Sequence, residues 1–267
     1  MNARNLPALA GERFNMGLRV DVDSIADALA VPELLLLLEK YDSKATFFIT
    51  TGPDQTLMNV SHYAGKNLLN IPLKRYMPGF FHSIIRRNVE SHPSLGSLMN
   101  SGHEVGLHGY RHYEWMNFLH KKNMVEISNM IETGCKLFEK EFGFPPRSFS
   151  SPGFATSEEY LFALDNFGFD YSSDFYGFHP FYPQVGDKTF DTVQLPVRIP
   201  SPCELQGNEE KLLGTIKEFC EKDHFILYIH PSCELLYRRE LLKKILGSAG
   251  KTLTLREIYE NTADIRS

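Results

Sequence analysis

The chain has 267 residues, a net charge of −5, 42% hydrophobic and 23% charged residues, a balance that suits one large soluble α/β domain or two small ones. The acidic surplus leaves no electrostatic footprint for nucleic acid. The four cysteines, Cys135, Cys203, Cys220 and Cys233, form no Cys-x-x-Cys pair, so no disulfide framework or cysteine-based zinc site is expected, and reduced thiols in a cytosolic protein are.

Residues 1–13 have no long apolar core, and the longest apolar run, 34–38, is far too short to cross a bilayer, so neither a signal peptide nor a membrane span is expected. Residues 16–22 alternate like a strand and deliver Asp21 and Asp23 at its end. Positions two apart on a strand face the same way, so the two carboxylates converge. Ser24 caps a helix that runs to about residue 41, and 45–50 form a second strand that Gly52-Pro53 stops. Residues 52–101 form an insertion with too many Gly and Pro breakers for one long helix. No acidic residue lies between Asp54 and Glu90, whereas Lys66, Lys74, Arg75, Arg86 and Arg87 alternate with apolar residues that include Phe80, Phe81, Ile84 and Ile85.

Residues 104–107 are a short strand, followed by a loop from His108 to His112. A helix is expected over 123–142, a strand over 147–150 ended by Ser151-Pro152-Gly153, and a helix over 157–167 with Glu158 and Glu159 in its first turn. The strand 169–173 leads to Asp174. A loop rich in Gly, Pro and aromatics covers 175–189, and a strand over 192–199 is broken by Pro196. Then come a helix over 209–221, the strongly apolar strand 225–229 ending at His230, a helix over 234–246, a last strand over 252–255 and a terminal helix.

Alternating strands and helices imply parallel strands with crossover helices. Asp23, His108, Pro152, Asp174 and His230 all fall just past strand ends, and in a β/α barrel those ends form the active-site face. One carboxylate and two imidazoles form a facial set for a divalent cation, with positions left open for water and substrate. Asp23, His108 and His112 are the candidate ligands, the His-x-x-x-His spacing bringing both rings to one side in a helical turn. Asp21 is then the base that takes a proton from water, and His230 the acid that protonates a leaving amine, a division of labour suited to amide hydrolysis. His103-Glu104 does not open a zincin motif, because the next histidine follows at five residues rather than four and the segment is a strand.

The order Asp-x-Asp, His-x-x-x-His, a proline-bearing strand end and a late Ile229-His230 resembles the carbohydrate deacetylases with the NodB homology domain, the polysaccharide deacetylase superfamily. Within it, 17–24 (Gly-Leu-Arg-Val-Asp-Val-Asp-Ser), Gly52-Pro53-Asp54, 103–108 (His-Glu-Val-Gly-Leu-His), Tyr171-Ser172-Ser173-Asp174 and 194–197 (Gln-Leu-Pro-Val) resemble the branch of 4-deoxy-4-formamido-L-arabinose-phosphoundecaprenol deformylases. The resemblance covers nearly the whole chain. It implies a single catalytic domain over 1–267, an irregular seven-stranded (β/α) barrel, a metal on Asp23, His108 and His112 (zinc first, with cobalt, manganese or iron as alternatives), Asp21 as base, His230 as acid, and Asp174 as a residue that tunes or orients the acid. It further implies an N-formyl amino sugar on undecaprenyl phosphate as substrate, with peripheral contact at the inner face of the membrane through residues 66–87. The chain departs from the superfamily pattern at 149–155, where no arginine stands to orient the base; Arg147 and Arg111 are the candidates. A deacetylase of another soluble or cell-wall amino sugar, another C–N hydrolase acting on a ureide or cyclic amide, and a non-catalytic glycan- or lipid-binding member are the competing readings.

Overall fold

A computed structural model describes residues 14–59, 84–204, 209–220 and 225–261. Strand β1 (Phe14–Val22) leads through the Ser24 cap into helix α1 (Ile25–Lys40), where the Ser24 hydroxyl accepts from the Asp27 N–H. β2 (Thr46–Thr51), β3 (Glu104–Tyr110), α2 (His112–Phe118) and α3 (Met124–Phe142) follow. α3 starts at a full capping box between Asn123 and Glu126 and stops at Gly143 in the left-handed region. β4 (Ser148–Phe149), α4 (Glu158–Leu164), β5 (Tyr171–Ser172), a hairpin of β6 (Gln184–Val185) and β7 (Lys188–Thr189), and β8 (Val193–Gln194) come next. The chain continues with α5 (Glu209–Cys220), β9 (Phe225–Ile229), α6 (Pro231–Tyr237), α7 (Arg239–Ser248), β10 (Ala249–Leu253) and α8 (Leu255–Asn261).

The register shows how the sheet closes. Met16 and Gly17 of β1 pair with both β10 and β9, so those two strands take opposite edges of β1. Arg19 and Val20 pair with both β2 and β9, so β2 and β10 share one edge, β10 at its start and β2 at its end. From β2 the sheet runs in parallel through β3, β4, β5 and β8. Beyond β8 the chain returns to β9 through a parallel bridge between Ile199 and Leu227. The result is an irregular barrel of seven parallel strands, β9-β1-β2-β3-β4-β5-β8, with β10 wedged against its base.

Strand alternation divides the apolar residues into two cores. Met16, Leu18, Val20, Val22, Phe47, Ile49, Leu227 and Ile229 pack outward in one cluster with helix residues such as Leu34 and Ile131. Phe48, Tyr171, Leu195, Val197, Ile226 and Tyr228 pack together as a second cluster, inside the barrel. Gly106 is needed where β3 passes this filling, because a Cβ there would lie 2.5 Å from the Ser148 hydroxyl and 2.7 Å from the Phe48 ring. At the opposite end from the site, the Glu104 carboxylate accepts from the hydroxyls of Thr46 and Tyr171 (2.7 Å each), the Ser148 hydroxyl (3.1 Å) and the Arg256 N–H (2.9 Å), which satisfies a carboxylate at the barrel floor.

Three expectations are corrected. The segment from His108 to His112 is not a loop: ladder pairing with β2 runs on to Thr51–Tyr110, so His108 lies within β3 and His112 opens α2. The helix expected over 234–246 is two helices, because Arg238 leaves helical geometry at φ −130° and ψ 21°. The strand expected over 192–199 keeps its ladder only at β8, Pro196 breaking it before the Val197 and Ile199 bridges. Most of the basic aromatic insertion, 60–83, lies outside the described residues. Its flanks meet where the Val89 N–H donates to the Gly52 carbonyl and the Asp54 N–H to the Arg87 carbonyl.

Candidate active site and metal centre

The mouth of the barrel gathers side chains from strand ends that are far apart in sequence. β1 and the turn after it bring Arg19, Asp21 and Asp23, β3 brings His108, α2 brings His112, and β9 ends at His230. Asp23 sits at the centre. Its Oδ1 lies 3.1 Å from His108 Nε2, and its Oδ2 lies 3.3 Å from His112 Nε2 and 3.2 Å from His230 Nε2. His108 and His112 do not share one helical turn. Gly109 (φ 63°) and Arg111 (φ 57°) take left-handed conformations between them and fold the end of β3 back into α2, which sets the two rings 5.4 Å apart at 46°.

The donor set fits a cation. His108 Nδ1 lies 2.6 Å from the Ser150 hydroxyl and 3.0 Å from the Ser150 carbonyl, which can only accept; in the tautomer that gives this nitrogen the proton, Nε2 carries a lone pair. This lone pair faces Asp23 Oδ1, a buried acceptor that has no hydrogen-bond partner among the described residues. Two acceptors 3.1 Å apart repel unless a cation joins them. Burial pushes the His112 pKa down to about 4, which keeps that ring neutral as a ligand must be. Burial works against the Asp23 charge, but the neighbouring His112 and His230 outweigh it and hold the carboxyl well below its usual range. Asp23, His108 and His112 place their ligand atoms within 4.8 Å of one another, the two-imidazole, one-carboxylate arrangement that suits zinc, cobalt, manganese or iron(II).

Beside the donors, Arg19 grips Asp21. Its Nε and Nη2 donate to Oδ1 and Oδ2 of Asp21 at 2.7 Å each, a bidentate fork buried in the barrel. The far side of the guanidinium donates to the Ser173 carbonyl. Asp21 Oδ2 is 4.0 Å from His108 Nε2. Of the arginines considered from sequence, Arg147 pairs instead with Asp170 and Arg111 with Glu114. The signal of Arg19 in the sequence is that it is the one basic residue of a largely apolar strand, two residues before Asp21 and so on the same face.

His230 is half-buried, and two buried carboxylates hold the turn that follows it. Glu234 accepts from the His230 N–H at 2.7 Å, and Asp27 accepts from the Ser232 N–H at 3.1 Å. Burial opposes a charge on the His230 ring, yet Asp23 overrides it and raises the pKa well above the ordinary value. Asp174 lies elsewhere. Its oxygens accept from the Ser151 N–H, the hydroxyls of Tyr160 and Ser172, and the Gln194 amide. These bonds place it beneath the Ser151-Pro152 turn rather than against His230.

With barrel and site defined, the chain is placed by comparison: it belongs to the polysaccharide deacetylase family, whose model matches residues 18–172. It is similar, at 30% identity over 209 residues, to a Shewanella sediminis (strain HAW-EB3) protein named as a 4-deoxy-4-formamido-L-arabinose-phosphoundecaprenol deformylase, covering 73% of this chain and 66% of that one. A Wigglesworthia glossinidia brevipalpis protein of the same name is 29% identical over 191 residues, 65% of this chain and 64% of its own. The matches thus span just under two thirds of both relatives. A crystal structure designated a polysaccharide deacetylase from Mycobacterium smegmatis shares the fold, with a TM-score of 0.63 over 94% of this chain and 90% of that one at 18% identity.

Proposed function

We propose that the protein is a metal-dependent hydrolase that removes an N-acyl group, formyl in the first place, from an amino sugar carried on a lipid phosphate, and that 1–267 act as one catalytic domain. The observation that carries the metal is the unpartnered Asp23 Oδ1 facing the His108 Nε2 lone pair. The relatives' names support a formamido sugar on undecaprenyl phosphate as substrate.

A divalent cation on Asp23, His108 and His112, zinc above cobalt, manganese or iron, supplies Lewis acidity toward water and the amide carbonyl. Asp21, oriented by the Arg19 fork, takes a proton from the attacking water. His230, whose Nε2 lies 3.2 Å from Asp23, hands a proton to the sugar nitrogen as the C–N bond breaks. The products are a carboxylate and a free amine. Asp174 props the Ser151-Pro152 turn that borders the mouth and acts at a distance from the acid.

The insertion supports a lipid-linked substrate. Its basic residues suit a phosphate and an anionic surface, and its apolar residues suit the bilayer interface. Ile84 and Ile85, at its described edge, are exposed, and Arg86 and Arg87 follow them. No helix among the described residues is long and apolar enough to cross a membrane, and we assign the protein to peripheral contact at the inner face, through 66–87. The test is metal content and acyl release in two variants. His108→Ala is expected to lose the metal, and Asp21→Asn to keep it while releasing neither formate nor acetate. Full metal content in His108→Ala would overturn the ligand assignment.

A further inference from the structure

We propose that Cys203 and Cys233 are a reversible thiol–disulfide pair that ties the redox state of the protein to the placement of His230. The bridge itself assumes nothing about the reaction; its effect on turnover rests on the hydrolase reading above. Cys203 lies in the turn after the Ile199–Leu227 bridge, where the Glu204 N–H donates to the Ser201 carbonyl at 2.9 Å. Cys233 lies in the first turn of α6. Their sulfurs and a carboxylate oxygen of Glu234 lie within 4.8 Å of one another. Hydrogen-bond contact with Cys233, then burial and the Glu234 carboxylate, push the Cys203 thiol up. Both cysteines are partly exposed, so a small oxidant can reach them.

Two thiols and a carboxylate are also a donor set for a soft cation, but the hydrogen bonds decide against it. Glu234 is fully buried, and both its oxygens are engaged. Oε1 accepts from the Ser201 hydroxyl and from the Cys203 N–H at 3.2 Å, and Oε2 accepts from the His230 N–H at 2.7 Å. A carboxylate held by three donors is a satisfied structural anchor. That leaves two sulfurs, half of the four donors of a closed metal site. What the two sulfurs can do together is bond to each other.

The oxidant is a low-molecular-weight disulfide. Each cysteine gives up one proton and one electron, the Cys203–Cys233 bond forms, the S–S bond of the oxidant breaks, and two small thiols leave with both protons and both electrons. A disulfide holds its sulfurs about 2.05 Å apart, well inside hydrogen-bond contact, so one of the two turns has to move. Both turns are tied to the proposed acid. The Cys233 N–H donates to the His230 carbonyl at 3.0 Å, and Glu234 joins the N–H groups of Cys203 and His230. Closing the bridge therefore shifts His230, whose Nε2 lies 3.2 Å from Asp23, and the reduced protein is the competent form.

The test reads the bridge by mass and its effect by turnover. The full chain is treated with oxidised glutathione or with dithiothreitol, alkylated, and digested with trypsin without reductant. Cleavage after Arg198, Lys211, Lys222 and Arg238 puts Cys203 in peptide 199–211 and Cys233 in peptide 223–238, with no other cysteine in either. Oxidised wild type is expected to give one linked species at the summed mass of the two peptides less two hydrogens. Dithiothreitol separates it, and Cys203→Ser and Cys233→Ser do not give it. Acyl release is expected to fall fivefold or more on oxidation of wild type, to recover with dithiothreitol, and to hold steady in Cys203→Ser. Glutathione adducts or free thiols without the linked species would overturn the pair, as would a metal ion lost in Cys203→Ser but kept in His108→Ala. A linked species with unchanged release would overturn the tie to His230. A linked species with no release in either redox state would support the pair and sink the hydrolase reading instead.

Discussion

Arg19 is a charge that the barrel interior tolerates only because Asp21 meets it. The guanidinium is fully buried among Phe48, Phe154 and Tyr228, and the fork to Asp21 supplies two of its bonds. A lysine at this position keeps the charge but not the bidentate geometry. Arg19→Lys is therefore expected to lower kcat by about 100-fold, the usual scale of a lost acid–base arrangement, with metal content retained; a kcat near wild type would show that Asp21 needs no such support. His112 carries a pH prediction. Its ordinary value is 6.5 and its folded value about 4, so between these pH values the unfolded chain binds the extra proton. Stability from this residue is complete above pH 6.5 and falls as the pH drops toward 4, by roughly 3 kcal/mol in all. Burial and Asp23 raise Asp27 to about 6, which acts in the opposite sense over much of that window. The histidine is thus isolated by difference: chelated wild type minus chelated His112→Asn, followed by urea unfolding across pH 4 to 7. A flat difference would contradict the assignment of a neutral, buried ring.

At the scale of elements, the site depends on one sharp reversal. β3 must present His108 and then turn within three residues to present His112 at the start of α2. Gly109 allows this because its φ is 63° and because a Cβ would lie 2.9 Å from Pro152. Gly109→Ala is expected to destabilise the fold by about 1 kcal/mol or more and, by moving both rings, to weaken metal affinity by about tenfold or more, measured by competition with a chromogenic chelator. Unchanged affinity would mean that the turn does not set the ligand spacing. This turn also marks where the sequence stopped being readable. His108 and His112 were visible as a pair, but the His-x-x-x-His spacing suggested a single helical turn, whereas sheet pairing carries the strand through His108. The long apolar strands β1, β2 and β9 and the capped helices α1 and α3 were legible because their patterns are strong and their ends are marked. β4, β5 and β8 fall inside the strands expected over 147–150, 169–173 and 192–199 but keep only two residues each; their existence was legible, and their length was not, because ladders that short are fixed by the neighbours they pair with. The hairpin β6–β7 falls in a stretch rich in Gly, Pro and aromatics and was expected as a loop.

The whole molecule brings together groups that the sequence could only place in order. Barrel closure through Ile199 and Leu227 sets His230 beside Asp23 across more than two hundred residues of chain, and the same closure stacks Tyr228 on the Arg19 side of the mouth. Asp21, Asp23, His108 and His230 were each identifiable as polar residues at strand ends, and His112 by its spacing from His108. The superfamily pattern points to the Ser151-Pro152 segment for a base-orienting arginine, whereas the barrel supplies one, Arg19, from β1. Asp174 was linked to the acid by resemblance, and its four hydrogen bonds instead tie it to the turn at Ser151 and to Tyr160, Ser172 and Gln194. The central claim is that these groups form a metal-dependent amide hydrolase for a lipid-linked formamido sugar. Its most direct test is formate release from an N-formyl amino sugar on undecaprenyl phosphate by protein stripped with a chelator and then restored with zinc or cobalt. The account predicts no formate from the stripped protein, release on restoring the metal, and none from restored His108→Ala. Release that persists in fully stripped protein, or its absence from metal-loaded wild type, would contradict it.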